Sequence, residues 1–216
     1  MKLGNRNNLV KSLFERIDPK IGISAYEADF LDDIATALGS ATWEIGPDIF
    51  DPEKWFFSLS GAKTMSEVES FRIHLCKLPM VEGWLFYPAL PPKDWNIFFI
   101  YQSVLEIDGC AWNYCFTERN EKIDIIMHAP ENMKRFDLIE VSKMLIIGEI
   151  GEENFLKYIG DISISNIANC KHEFSDFAKM MASNFFDLYY HDIIEAKNRG
   201  MVLRPKGNPE GRPRNF

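Results

Sequence analysis

The chain has 216 residues, of which 46% are hydrophobic and 26% charged, with a formal net charge of −8. Such proportions exclude the disordered and fibrous classes, and a chain of this length buries roughly 70% of the surface its unfolded form exposes, so neither metal nor disulfide is needed to hold it. The charge is uneven: residues 197–216 carry +5 and the rest −13, and so acidic a body argues against nucleic acid and suits a basic protein partner.

The first residues, Met1 to Val10, are polar and Asn-rich with no apolar signal stretch, and no window approaches the length of a membrane span. Cys76, Cys110, Cys115 and Cys170 form no dense framework and lie in segments that read as core elements. The expectation is a cytoplasmic protein with reduced thiols, no membrane partner and no cofactor. Nothing in the sequence fixes its oligomeric state.

Leu9, Leu13, Phe14 and Ile17 have helical spacing and stop at Asp18-Pro19. A second helix opens on a capping box, Ser24 with Glu27, carries Tyr26, Phe30, Ile34 and Leu38 at four-residue steps, and ends at Gly39. Thr42 to Ile45 and Trp55 to Ser60 read as strands. Thr64 with Glu67 caps a helix whose stripe is Val68, Phe71, Leu75 and Leu78, and Gly83 to Ala89 follows as an edge strand carrying Pro88.

The second half predicts a meander from Val104 to Ala129. Asp108-Gly109 is a two-residue hairpin signal that sets Leu105 opposite Trp112. A turn over Glu118 to Glu121 then pairs Thr117 with Lys122, Phe116 with Ile123, Tyr114 with Ile125 and Trp112 with Met127. One face thus collects Leu105, Ile107, Trp112, Tyr114, Phe116, Ile123, Ile125 and Met127.

Asp137 with Glu140 begins a helix bearing Leu138, Val141, Met144 and Leu145, which Gly148 and Gly151 break before a short helix through Tyr158. Asp161 to Ser165 is a short strand, and Ser175 caps a long last helix with Phe177, Met181, Phe185 and Leu188. The order predicts an α+β fold, a mostly antiparallel sheet with helices chiefly on one face. Residues 1–196 are expected as a single domain, with similar strand-helix halves at 20–95 and 96–196 that leave a duplication open, and residues 197–216 as a flexible basic tail.

Glu44-Ile45-Gly46-Pro47, Ser58-Leu59-Ser60-Gly61, Pro79 to Trp84, Gly151-Glu152-Glu153 and Tyr158-Ile159-Gly160-Asp161-Ile162 together resemble an uncharacterised family of bacterial proteins. The resemblance spans most of Thr42 to Ile164 and implies a bacterial source and an α+β fold. It brings no catalytic residue with it. Pro91-Pro92-Lys93-Asp94-Trp95 departs from a more basic stretch at that place in the family.

Three side-chain groups invite chemistry. Cys115, Asp124 and His128 fall on the outward face of the meander beside Asn113, with Cys115 opposite Asp124, a thiol, carboxylate and imidazole suited to nucleophilic or acid/base work. The plainer alternative is a sheet face partly covered by the terminal helices. His74-Leu75-Cys76 and Cys170-Lys171-His172 supply the ligand count of a zinc site, but helical residues two apart diverge by about 200°, so no metal is expected and Cys76 reads as core. Asp187, His191 and Glu195 share one helix face, most simply a solvated one, and Asp161, Glu152 and Glu153 read as helix-end charges.

No phosphate loop, serine elbow, His-Glu-x-x-His or kinase signature is present. Trp84, Tyr87 and Trp95, in a proline-rich stretch, are expected as exposed anchors of an interface, the alternative being that they pack with the prolines to close the end of a sheet. The favoured reading is a non-enzymatic protein-interaction domain, with an inhibitor- or immunity-like role as its concrete form. A small enzyme using Cys115, Asp124 and His128 is the alternative.

Overall fold

The computed structural model describes residues 3–49, 51, 53–93, 98–101, 105–133, 138–165 and 170–184. The expectations for Trp95, Val104, Asp137, the Phe185 and Leu188 stripe, the Asp187, His191 and Glu195 face and the tail 197–216 lie outside those residues. The chain divides into two compact units between Leu90 and Pro91. An α+β class holds, and most strand pairs are antiparallel, but the strands form separate sheets rather than one.

The first unit begins with α1 (Leu3–Phe14) and α2 (Ala25–Ala37). The capping box at Ser24 is complete: its hydroxyl accepts from the Glu27 amide while the Glu27 carboxylate accepts from the Ser24 amide at 2.8 Å. β1 (Thr42–Pro47) and β2 (Trp55–Ser60) pair antiparallel, α3 (Met65–Leu75) crosses over, and β3 (Trp84–Tyr87) lies parallel to β2. Tyr87 is the last strand residue because Pro88 offers no amide for the ladder.

Phe14 sits against Phe57, Trp84 and Phe86 in edge-on contacts with centroids 5.4, 4.9 and 5.1 Å away. Gly46 lies flat under the Phe56 ring, 2.8 Å from where a Cβ would stand, so no larger residue fits there without displacing it. The reason for glycine at that position is packing.

One stripe is rotated from its expected place. The buried residues of α2 are Leu31, Ile34 and Ala35, whereas Tyr26 is 67% exposed. Four-residue steps advance about 40° each around a helix, so a stripe read at that spacing drifts off the core within three steps.

The second unit holds β4 (Phe98–Tyr101) and β5 (Leu105–Asp108), paired antiparallel. β6 (Asn113–Arg119) and β7 (Lys122–His128) form a hairpin. α4 (Leu138–Ile150) and α5 (Glu152–Tyr158) then lead to β8 (Ile159–Ile164), parallel to β7. The two-residue β9 (His172–Glu173) pairs with β6, giving the order β8-β7-β6-β9, and α6 (Phe177–Asn184) closes the described chain.

Three expectations are corrected here. Asp108-Gly109 is no hairpin: the Asp108 carboxylate accepts from the Cys110 amide at 2.9 Å and starts a short 3-10 turn, while β5 pairs with β4. The β6–β7 turn is Asn120-Glu121, both at positive φ (51° and 64°), so Tyr114 faces Met127 and Phe116 faces Ile125. The register slips by two residues, an even number, and every side chain keeps its face. Gly148 does not break α4, which runs on to Ile150.

Trp112, Tyr114, Ile123, Ile125 and Met127 therefore do form a core face, joined by Ile107, Val141, Leu145, Phe174 and Phe177, with Phe116 partly buried at its margin. The Tyr114 hydroxyl is buried and has no hydrogen-bond partner among the described residues. Phe177 meets its ring edge-on at 5.2 Å.

Candidate functional site

The outward face of the four-stranded sheet holds Cys115, Asp124, His128 and Asn113, as the alternation along β6 and β7 requires. The register sets none of the first three directly opposite another, and Cys115 lies diagonally between Asp124 and His128. Cys115 stands opposite Ile126, Asp124 opposite Thr117 and His128 opposite Asn113. Asp124 and His128 are four residues apart on one strand, about 13 Å along it.

Each is also held by a local partner. Asp124 accepts from the Asp161 amide at 2.9 Å and lies 3.9 Å from the Arg119 guanidinium. Gly160 is so close to that carboxylate that a Cβ would collide with it, which gives a packing reason for glycine at that position. His128 Nδ1 is 3.0 Å from the Ser165 carbonyl oxygen. Cys115 instead has the Cys170 thiol beside it, and burial together with that neighbour pushes Cys170 up to about 12.

Two of the aromatic candidates, Trp84 and Tyr87, are not exposed. Trp84 and Tyr87 are 4% and 3% accessible. The Trp84 Nε1–H donates to the Phe14 carbonyl at 3.0 Å, and the Tyr87 hydroxyl donates to the buried Asp48 carboxylate. Both side chains satisfy their polar atoms inside the protein and serve its core.

The cysteines are likewise not all core residues, since Cys76 and Cys110 are exposed. Glu152 is buried rather than a solvated helix-end charge. Among the described residues no three His, Cys, Asp or Glu side chains gather as a metal-ligating group, and no helix is long and apolar enough to cross a membrane.

A groove of about 440 Å³ opens on the first unit between α1, α2 and the end of α3. Its walls are apolar, built from Leu9, Val10, Phe30, Ile34, Leu38 and Leu78, with Asp33 on one side and His74 and Lys77 on the other. The helices are pinned at that end, because His74 Nδ1 lies 3.0 Å from the Leu38 carbonyl oxygen. Leu9 in its wall is 49% exposed, and α2 presents Asp29, Asp32 and Asp33 to solvent with no basic residue among its own. The Asp32 carboxylate also accepts from Trp43 Nε1 at 2.6 Å, which fixes part of that acidic edge.

The groove was not anticipated from the residues, although a signal existed. Tyr26 and Phe30 are two large aromatics on a helix whose other apolar residues suffice for its core.

No family model, curated protein or solved structure matches the chain.

Proposed function

We propose that the protein is a non-enzymatic interaction domain that takes an amphipathic, positively charged helix of a basic protein partner into the groove of its first unit. The observation that supports this reading is the pairing of an apolar trough with the exposed carboxylates of α2, Asp29, Asp32 and Asp33, on a body whose formal charge is −13. Apolar residues of such a helix would fill the space beside Phe30 and Leu9. Its lysines and arginines would meet the acidic edge, which governs association rate and selectivity more than raw affinity.

An inhibitor- or immunity-like role toward a basic effector is the concrete form this takes. The alternative, an enzyme using Cys115, Asp124 and His128, has less in its favour, since the three stand at different places along the sheet, with Asp124 and His128 each engaged by a backbone group.

The test uses two synthetic helices with the same leucine stripe, one bearing lysines on its polar face and the other glutamates, titrated into the full chain by fluorescence anisotropy. The lysine helix should bind, weaken as salt rises, and lose most of its affinity to an Asp29→Lys/Asp33→Lys variant. Equal binding of both helices, or none by either, would overturn the reading.

A further inference from the structure

The second unit brings two thiols together. β9 pairs with β6 at Tyr114 with His172 and Asn113 with Glu173, which returns Cys170 to the neighbourhood of β6. Cys170 then folds over the sheet so that its sulfur lies 3.5 Å from the carbonyl oxygen of Ile126, the residue directly across the ladder from Cys115. Its thiol is a hydrogen-bonding neighbour of the Cys115 thiol. Both cysteines are half-buried, whereas Cys76 and Cys110 are exposed.

We infer that Cys115 and Cys170 form a dithiol site that closes into an intramolecular disulfide by exchange with a low-molecular-weight disulfide. The electron balance is that of ordinary thiol–disulfide exchange. The Cys115 thiolate attacks one sulfur of the small disulfide, whose S–S bond breaks, and the departing thiolate takes up the proton that Cys115 gave to water. Cys170 loses its proton and attacks the Cys115 sulfur of the mixed disulfide, which releases the second small thiol. Two protein thiols are oxidised by two electrons, and one small disulfide is reduced to two thiols.

Cys115 is fixed within the β6–β7 ladder, whereas Cys170 precedes a strand of only two residues, so Cys170 is the more movable sulfur and takes the resolving role. Closing the bond ties Cys170, and with it the start of β9, down onto the middle of the sheet. β9 has a ladder of two residues, with the His172 ring beside Tyr114 at 5.3 Å and Phe116 at 5.8 Å. The site is thus also a clasp on the edge of the sheet.

The full chain, equilibrated in glutathione buffers from fully reduced to strongly oxidising, then acid-quenched, unfolded and alkylated, reports the state of each cysteine by peptide mass. We expect a Cys115–Cys170 cross-link, lighter by two hydrogen atoms and formed in preference to any pair involving Cys76 or Cys110. In a Cys170→Ser variant, Cys115 should instead accumulate as the glutathione mixed disulfide. Hydrogen exchange at residues 172–174 should slow in the oxidised wild-type chain. Free, alkylated Cys115 and Cys170 in the most oxidising buffer, with circular dichroism showing the chain folded, would overturn the inference. So would cross-links that scramble among all four cysteines.

Discussion

The two units follow the same path, an antiparallel hairpin, a helical crossover and a third strand laid parallel to the second, yet they treat the faces of that sheet differently. In the first unit the central strand β2 is buried over four consecutive residues and β3 over all of its length. In the second, β7 alternates between buried and accessible residues, so one side is core and the other carries Cys115, Ile126 and His128. The difference is written in the residues: Trp55-Phe56-Phe57 and Trp84-Leu85-Phe86-Tyr87 are unbroken apolar runs, while Lys122-Ile123-Asp124-Ile125 alternates. The same three-strand path can therefore leave an accessible face in one sheet and a strand buried on both faces in the other.

The largest effects should come from truncating the two aromatic centres. Phe57→Ala in the first unit and Tyr114→Ala in the second each remove a fully buried ring and should cost about 3 to 5 kcal/mol in chemical denaturation. Asn113→Ala, on the open face next to Tyr114, should cost far less. Equal losses at Tyr114 and Asn113 would show that β6 has no preferred face.

Gly46→Ala should cost about 1 to 3 kcal/mol, because the added methyl meets the buried Phe56 ring. A neutral result would mean that the first sheet is looser than its burial implies. Ser24→Ala removes the helix cap of α2 and should cost about 1 kcal/mol. The Ser24 hydrogen bonds hold the Glu27 carboxyl below its usual range, so the stabilisation tied to Glu27 is present at neutral pH and fades as pH falls through that lowered value.

The smallest effects concern the titrating groups of the second unit. Tyr114→Phe deletes a buried hydroxyl that has no partner among the described residues and should be neutral or slightly stabilising. The Cys170 thiol is raised from 9.0 to about 12 by burial and by Cys115, and burial raises the Tyr114 phenol as well, helped by Asp176. Groups raised in this way stabilise the fold fully below their unfolded value. For Cys170 that contribution is lost as pH climbs from about 9 to about 12, so Cys170→Ser should flatten the alkaline fall in stability. An unchanged slope would contradict the burial of that thiol.

Face assignments were legible in the sequence wherever alternation was strict. The inward set of β6 and β7 survives a register error because the slip is even. The register itself was hidden by Asn120-Glu121, since a glutamate at positive φ replaces the glycine that usually announces a tight turn. Asp108-Gly109 misled in the opposite direction, its carboxylate capping a 3-10 turn instead of closing a hairpin.

β4 went unread because Phe98-Phe99-Ile100-Tyr101 has no period. The groove and the dithiol were less legible still. The first depends on how three helices pack, and the second on a two-residue strand that returns Cys170 to β6 from far along the chain.

Adjacent substitutions in the two central strands test the contrast between the units most directly. Phe56→Ala and Phe57→Ala in β2, and Ile125→Ala and Ile126→Ala in β7, are compared by urea denaturation of the full chain. Phe56 and Phe57 are 4% and 0% exposed, Ile125 and Ile126 0% and 40%. Both β2 variants should lose about 3 kcal/mol or more, whereas in β7 Ile125→Ala should lose about 2 to 5 kcal/mol and Ile126→Ala less than about 1. A β2 pair that splits as widely as the β7 pair, or a β7 pair that does not split, would contradict the account of one closed and one open sheet.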